Sequence, residues 1–315
     1  MRMLDPSPRP LGEALALATT LLERAAGGEA QIAASLVDGP AVVLGALQRA
    51  GRVIDVAACA TAGTPVFRRC TTGTAAYIGG RAILWTLALP HLAALHPDAT
   101  PRTLLNRNVR GFLAGLSRGG AQARYFGREW IATHHRPAAL LGFEALADGR
   151  IVIEVFAGID APIALPVALC AEEERAVERW RGKEPMAIGP CDPAALALQV
   201  IEAVAARAGA GLDRAELPAD LVVAAPITDP RDPVPPGLAL AELQRAPIGW
   251  IDAAADVASG RLWIGGDALV ASFAVRALTL AALRGEAFSP GDAPIDGASW
   301  SDLDAAARAA LAARG

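Results

Sequence analysis

The stretch Phe67-Arg68-Arg69-Cys70-Thr71-Thr72-Gly73-Thr74-Ala75-Ala76-Tyr77 is the most informative segment of the chain. It joins two arginines to a turn of small and hydroxyl residues, which gives way to an apolar segment. The planar guanidinium of Arg69 suits a carboxylate or phosphate, which it can bind through two parallel hydrogen bonds. The stretch is therefore a candidate anion-binding loop, and the alternative is an exposed arginine at the start of a strand.

Composition predicts a folded protein with a core of small side chains. At 315 residues the chain exceeds the usual size of one domain, so two domains are expected. Hydrophobic residues make up 53% of the sequence, which is enough to bury a sizeable core. The formal net charge of −4 gives no overall attraction for nucleic acid or for an anionic membrane surface.

Cysteine spacing and apolar runs point to a soluble cytoplasmic protein. Neither a CxxC pair nor a Cys/His ligand spacing occurs, so no metal site is expected and reduced thiols are the default. Residues 1–10 contain three prolines and lack the apolar region of a secretory signal. The apolar run at 75–95 is interrupted by glycine, arginine, proline and histidine, well short of the about 18–20 residues of a membrane span.

Apolar residues at helical spacing predict five helices. Their signals lie at residues 11–22 before Gly27-Gly28, from Thr100-Pro101 to Gly119-Gly120, from Asp192-Pro193 onward, from Asp267 to Gly285, and at 303–311. Asp267 is expected to cap the fourth helix, with Val270, Phe273, Ala277 and Leu280 facing inward.

Alternating and β-rich segments predict a sheet. Residues 31–36 are an expected strand, and 41–45 are a short buried strand or the entry to a loop; short extended pieces at 124–126 and 129–132 flank Gly127. Residues 140–145 and 151–156 flank Asp148-Gly149, a pair typical of a two-residue hairpin turn. A second hairpin is expected to turn at Ser259-Gly260.

The density of proline between 218 and 236 predicts a domain boundary, because proline cannot run through a central strand. We therefore expect a large domain at 1–217, a proline-rich linker at 218–247 and a small domain at 248–315.

The opening stretch resembles the Arg-Arg-x-Ser-Gly-Gly-Gly-Ala-Val-aromatic loop of lipoate–protein ligases, which are relatives of biotin ligases and octanoyltransferases. Arg68 and Arg69 fall on the arginine pair, Gly73 on the middle glycine, and Thr72 and Thr74 on the other two. Residues 126–160 resemble the family's Asn-Asp-Leu, Lys-x-Ser-Gly-Ser-Ala and His-Gly blocks, and 255–283 resemble the accessory domain of long lipoate ligases. The resemblance implies an α+β fold: a central mixed, mostly antiparallel sheet flanked by helices, and a small α+β C-terminal domain.

The resemblance also implies a site. Its expected cofactor-binding residues are Arg69, Thr72, Gly73, Thr74, Glu129 and Gly142, for lipoate or octanoate and for ATP as an acyl-adenylate. Lys183, the only lysine, stands where the family has a Lys-Gly loop that closes over the adenylate; its alternative is a solvated surface lysine. Cys70 is a candidate nucleophile by analogy with octanoyltransferases, and His135 a candidate replacement for a lost lysine; their alternatives are packing and a polar loop. A lipoyl-domain carrier protein is the implied partner.

Ordinary ligation is expected to be impaired. Counting back from Gly142 places Ala139 at the family's lysine position, and the family's His-Asp pair is absent. Losing one donor that stabilises transition-state charge typically slows an enzyme about 10²–10³-fold. Two interpretations follow: a divergent protein that binds or transfers a medium-chain acyl group, or a non-catalytic relative acting as a binding or partner module.

Overall fold

The computed structural model describes residues 1–117, 122–177, 179, 182–217, 221, 223–225, 233–291 and 293–313. The strands are β1 Arg2–Pro8, β2 Gln31–Val37, β3 Ala41–Leu44, β4 Val66–Arg68, β5 Ala76–Ile78, β6 Ala82–Leu89, β7 Arg124–Tyr125, β8 Trp130–Thr133, β9 Arg136–Ala145, β10 Ile151–Gly158, β11 Asp213–Arg214, β12 Ala239–Leu240, β13 Gln244–Ala246, β14 Gly249–Asp256, β15 Arg261–Gly266, β16 Leu269–Val270 and β17 Ile295–Asp296. The helices are α1 Leu11–Arg24, α2 Ala50–Val53, α3 Val56–Thr61, α4 Leu104–Asn108, α5 Arg110–Leu116, α6 Glu172–Arg175, α7 Pro193–Ala208, α8 Ser272–Leu283 and α9 Trp300–Ala312.

A mixed sheet forms the centre of the molecule. Its strand order is β11-β1-β2-β6-β10-β9-β8-β7, with β1 parallel to β2 and β11 and the remaining pairs antiparallel. A smaller sheet, β4-β3-β5, lies beside it and carries the candidate loop between β4 and β5. The expected fold class, a mostly antiparallel mixed sheet flanked by helices, is confirmed.

Helices cover both faces of the central sheet, which is why its inner strands are apolar on both sides. Along β2, Ile32 packs into the core under α5 and α7, whereas Ala33 packs into the core under α1. Two glycines of α5 bring it close to α7: a Cβ on Gly111 would lie 2.3 Å from the Cα of Val204, and one on Gly115 would lie 2.5 Å from the Cα of Val200.

Most local predictions hold. Helix α1 spans the predicted residues 11–22, α7 begins at Pro193 with the Asp192 carboxylate as its cap, and β14 and β15 turn at residues 257–260. The helix expected from Thr100 is divided into a 3₁₀ turn, α4 and α5. The β9–β10 connection has five residues rather than two, because only Gly149 of the Asp148-Gly149 pair has a positive φ, of 92°.

The prediction for α8 is wrong about the residue at which the helix begins and about which side of the helix is buried. The helix begins at Ser272, and Asp267 is instead buried among arginines. Its buried residues are Ala274, Val275, Leu278 and Ala282, while Leu280 is 54% exposed. Apolar residues occupy nearly the whole helix, so spacing alone left its inward side ambiguous.

The C-terminal residues form β14 and β15 with α8 and α9, and their apolar side chains join the core of the central sheet. The predicted boundary rests on a group of prolines, and three of them, Pro218, Pro226 and Pro230, lie outside the described residues. We retain the division into 1–217, 218–247 and 248–315 as a proposal. No helix in the described ranges has the length and hydropathy needed to cross a bilayer.

Candidate functional site

Arg69 lies inside the protein, where it holds the candidate loop together. Its Nη2 donates to the carbonyl oxygens of Thr72, at 3.1 Å, and Thr74, at 2.9 Å. Its guanidinium lies 5.2 Å from the ring centroid of Phe156 and 4.0 Å from the carboxylate of Glu154. Burial lowers the pKa of Arg69 to about 10 and raises the pKa of Glu154.

Gly142 makes room for this arrangement. A Cβ at Gly142 would lie 2.6 Å from the Thr71 hydroxyl and 2.9 Å from Nε of Arg69. Gly142 pairs across the sheet with Glu154, whose carboxylate accepts a hydrogen bond from the Thr71 hydroxyl. The structure thus brings Arg69, Thr72, Thr74 and Gly142 together around the loop's own carbonyl groups.

The two threonines at family glycine positions carry no backbone strain. Neither has a positive φ, whereas Gly73 has a φ of 103°, so the loop's one left-handed position keeps its glycine. The Thr72 hydroxyl lies 2.9 Å from the carbonyl oxygen of Phe143 and accepts a hydrogen bond from the N–H of Val270, also at 2.9 Å. Threonine here connects the loop to β9 and to β16.

Strand β16 covers the loop. A Cβ on Gly73 would lie 2.7 Å from Cδ2 of Leu269, so not even a methyl group fits between them. Thr72 and Thr74 are at most 1% exposed. In this arrangement the loop residues do not fit a nucleotide phosphate, because the chain's own C-terminal segment occupies the adjoining space.

A pocket of about 180 Å³ lies at the β7 end of the central sheet, and we call it the edge pocket. Its walls are aromatic and apolar, and three cations surround it. The lining residues are Phe126, Gly127, Arg128, Trp130, Ala132, Pro137, Arg179 and Lys183.

Lys183 lies at the mouth of the edge pocket. Its Nζ lies 5.5 Å from the ring centroid of Phe126, which is 64% exposed. The neighbouring Gly182 has a φ of 72°, which turns the chain so that Lys183 reaches this rim. Within the described residues Lys183 forms no ion pair, so its charge is available to a ligand.

Two arginines form the inner side of the edge pocket. Arg128 has a φ of 65°, and its guanidinium donates to the carbonyl oxygen of Pro247. Arg179 is buried and donates to the carbonyl oxygen of Ile248 at 2.9 Å. Both arginines thus reach the segment just before β14, so that segment helps to hold the pocket in place.

Glu129 lies behind these arginines. Its Oε2 is 3.8 Å from Nε of Arg128, and its Oε1 is 3.9 Å from Nη1 of Arg179. Among the described residues neither oxygen has a hydrogen-bond partner, and the side chain is fully buried. Burial raises the pKa of Glu129 to about 7, and the two arginines oppose that rise.

A buried charge cluster joins the edge pocket to the C-terminal strands. Arg179 donates to Glu174 and, at 3.2 Å, to Asp267. Arg52 donates to Asp267 at 2.5 Å and to Asp252 at 2.8 Å. These guanidiniums hold the pKa of Asp267 well below its usual range, against the effect of its burial.

The remaining predicted catalytic residues lie elsewhere. Burial raises the pKa of Cys70 to about 12, and Cys70 borders a separate open cleft of about 840 Å³. His134 and His135 form the exposed two-residue turn between β8 and β9, both with positive φ. Ala139 is buried in mid-strand, paired with Ile131 and Ala157.

Of the eight residues that line the edge pocket, sequence reasoning named only Lys183 as a site residue; the charged and aromatic ones that it missed are Phe126, Arg128, Trp130 and Arg179. Phe126 and Arg128 flank Gly127, which was read only as a break between two extended pieces. Arg179 follows an acidic run, and nothing in the sequence indicates that it folds back against Arg128.

Residues 10–133 match the sequence profile of the lipoyl protein ligase A/B catalytic domain. Over this segment the chain is similar to lipoate ligases. The resemblance seen in the loop is thereby confirmed. A search among curated proteins gives no significant match.

Solved lipoate ligases share the fold of this chain. One is P. falciparum LipL1 in complex with lipoate, which is 12% identical over 85% of each chain, with a TM-score of 0.61. Another is the bi-partite lipoate protein ligase of Thermoplasma acidophilum, analysed with its E2 lipoyl domain: 12% identical, covering 69% of this chain and 87% of that one, TM-score 0.54. A third is lipoate-protein ligase A bound with ATP, 14% identical, covering 68% of this chain and 89% of that one, TM-score 0.54.

Proposed function

We propose that this lipoate-ligase-like protein binds a medium-chain acyl carboxylate, of the lipoate or octanoate type, in the edge pocket. The observation that carries the proposal is the convergence of Lys183, Arg128 and Arg179 on an aromatic pocket. A carboxylate leaving water requires paired charge and hydrogen-bond donors, and ammonium and guanidinium groups supply both. Structural relatives with the same fold hold lipoate or ATP, which supports this class of ligand.

The walls of the edge pocket suit the start of an acyl tail. Phe126, Trp130, Ala132 and Pro137 present carbon surface beside the cations. Burying each methylene against such a surface contributes about 0.8 kcal/mol, so a few methylenes add useful affinity to the ion pair. An amphipathic acid satisfies both halves of this lining, whereas an inorganic anion satisfies only the cations.

We propose further that the protein binds or transfers the acyl group with little ordinary ATP-dependent ligation. The support is the covered loop: Leu269 fills the space beside Gly73, and Arg69 is hydrogen-bonded to loop carbonyl groups. If transfer takes place, the acceptor we propose is a lipoyl-domain carrier protein, as is found with the Thermoplasma acidophilum ligase.

The same covered loop favours a second candidate, a non-catalytic relative that serves as a binding or partner module. In that case the chain keeps the fold, and the loop serves to attach the C-terminal strands. Acyl binding in the edge pocket separates the two candidates, because a partner module has no need of it.

Calorimetric titration of octanoate and lipoate tests the proposal. We expect binding to the wild-type protein, and Lys183→Met to weaken it about tenfold, since a hydrogen bond to a charged group contributes roughly 1.5 kcal/mol. Lys183→Arg should retain most of the affinity. Arg136→Met is the matched control, because Arg136 is an exposed cation next to Pro137 that pairs with Glu184 outside the pocket lining.

If neither acid binds, the acyl-binding proposal is refuted and the partner-module candidate remains. Equal affinity in Lys183→Met and Arg136→Met would show that the acid binds somewhere other than the edge pocket.

A further inference from the structure

We infer that Glu129 sets the charge that the edge pocket accepts: the protonated residue favours a carboxylate ligand, and the ionised residue disfavours it. This inference rests on the proposed function, since it concerns the same pocket. It assigns Glu129 the role of a specificity-determining residue that acts through Arg128 and Arg179.

Glu129 lies close to both arginines of the edge pocket. Its carboxylate lies 3.8 Å from the guanidinium of Arg128 and 3.9 Å from that of Arg179, and Glu129 itself is not part of the pocket lining. These distances are too long for hydrogen bonds, so Glu129 interacts with both guanidiniums through charge alone, while the nitrogens of Arg179 donate to Glu174, Asp267 and Ile248. An acid bound in the pocket and an ionised Glu129 would therefore share the same two cations.

Glu129 cannot relieve this competition by moving into water. Its main-chain carbonyl oxygen accepts a hydrogen bond from the N–H of Leu141 at 2.6 Å, which fixes the residue against β9. The side chain is fully buried, and neither carboxylate oxygen has a hydrogen-bond partner among the described residues. Protonation is therefore the available way to remove the charge.

The charged groups around Glu129 are balanced closely enough for protonation near neutrality. Arg128 and Arg179 favour the ionised form, whereas burial and the nearby Asp267 oppose it. Tyr125 also faces it, with a hydroxyl that donates to Asp296. The resulting pKa of about 7 lies in the range where small changes of pH alter the charge.

The expected effect follows from linkage. A second carboxylate within about 4–6 Å shifts a carboxyl pKa upward by at least about one unit. By reciprocity, a carboxylate ligand then binds about tenfold more tightly when Glu129 is protonated than when it is ionised. A fatty acid stays ionised over this range, because carboxyl groups titrate near pH 4.

The test is calorimetric titration at about pH 6 and about pH 8, with octanoate and its neutral analogue octanamide. We expect the octanoate affinity of the wild-type protein to fall about fivefold between these values, because Glu129 is only partly converted from one form to the other, and that of octanamide to change little. Glu129→Gln should remove the octanoate dependence and keep the tighter affinity at both values. Glu144→Gln is the matched control, a buried carboxyl with a raised pKa that accepts hydrogen bonds from Ser272 outside the edge pocket.

The outcomes separate the inference from the proposed function. Octanoate that binds equally at both pH values overturns the inference and leaves the proposed function standing. Octanoate that binds at neither pH value removes both. Should Glu129→Gln fail to fold, the comparison of octanoate with octanamide on the wild-type protein still decides the inference.

Discussion

Arg52→Met should destabilise the protein by about 3–5 kcal/mol, the typical cost of removing one partner from a buried ion pair. The Arg52 side chain is fully buried and donates to two carboxylates, those of Asp252 and Asp267, with Glu174 at 3.4 Å. Methionine fills a similar volume, so the loss comes mainly from carboxylates left without their cation. Arg52 lies in α2 and both aspartates in the C-terminal strands and their connection, so the substitution weakens the attachment between them.

The pH dependence of this loss has a defined sign. Arg52 and Arg179 hold the pKa of Asp267 well below its usual range, so this pairing stabilises the folded protein at neutral pH and is lost as the pH falls through the folded-state pKa. Removing Arg52 brings that pKa closer to its unfolded value. The difference in unfolding free energy between Arg52→Met and the wild-type protein should therefore be largest at neutral pH and become smaller below about pH 4.

Urea unfolding followed by circular dichroism measures the loss, with Arg49→Met as the matched control. Arg49 also donates to Asp252, at 2.8 Å, but its side chain is 13% exposed, and within the described part of the chain it forms an ion pair with that carboxylate alone. We expect Arg49→Met to cost about 1 kcal/mol. A loss below about 1 kcal/mol for Arg52→Met, or losses of equal size in both variants, would refute the assignment of a buried cluster.

Two further predictions concern the residues taken from the family pattern. With lipoate or octanoate and ATP, we expect pyrophosphate release to be at least about 10²–10³-fold slower than that of an ordinary lipoate ligase, because the resemblance places Ala139 at the lysine position and β16 covers the loop; rapid turnover would contradict this. Cys70, with a pKa raised to about 12, should resist iodoacetamide at neutral pH until the protein is unfolded, as mass spectrometry of the labelled peptides can show. Rapid labelling of the folded protein would mean that the thiol is exposed and activated.

The sequence predicted elements whose signals are local. The start of α7 is marked by Asp192-Pro193, a capping carboxylate followed by proline, and its end by Gly209 in the left-handed conformation. The 257–260 turn and the strands on either side of it were likewise visible as a break between two apolar segments. The family resemblance then supplied the mixed, mostly antiparallel character of the central sheet, which no local signal contains.

The edge pocket could not be predicted from the sequence, because its lining residues are far apart in the chain. Arg128 and Arg179 are 51 positions apart and meet through a hydrogen bond between the guanidinium of Arg128 and the carbonyl oxygen of Arg179. Asp267 has the sequence context of a helix cap, and only the folded chain shows that two arginines and Gln48 surround it. Buried polar contacts of this kind depend on tertiary packing rather than on spacing.

The glycine-to-threonine differences in the loop and the covered position of the loop have one physical explanation. The Thr72 hydroxyl satisfies the N–H of Val270 and lies within hydrogen-bond distance of the carbonyl oxygens of Val270 and Phe143. A glycine at position 72 would leave the N–H of Val270 without this partner inside the protein, at a cost of about 1–3 kcal/mol. Threonine therefore stabilises the arrangement in which β16 lies on the loop, and glycine would favour a loop open to a ligand. A chain that carries threonine here has a loop suited to holding its own C-terminal segment, which is why we place acyl binding in the edge pocket rather than at Arg69.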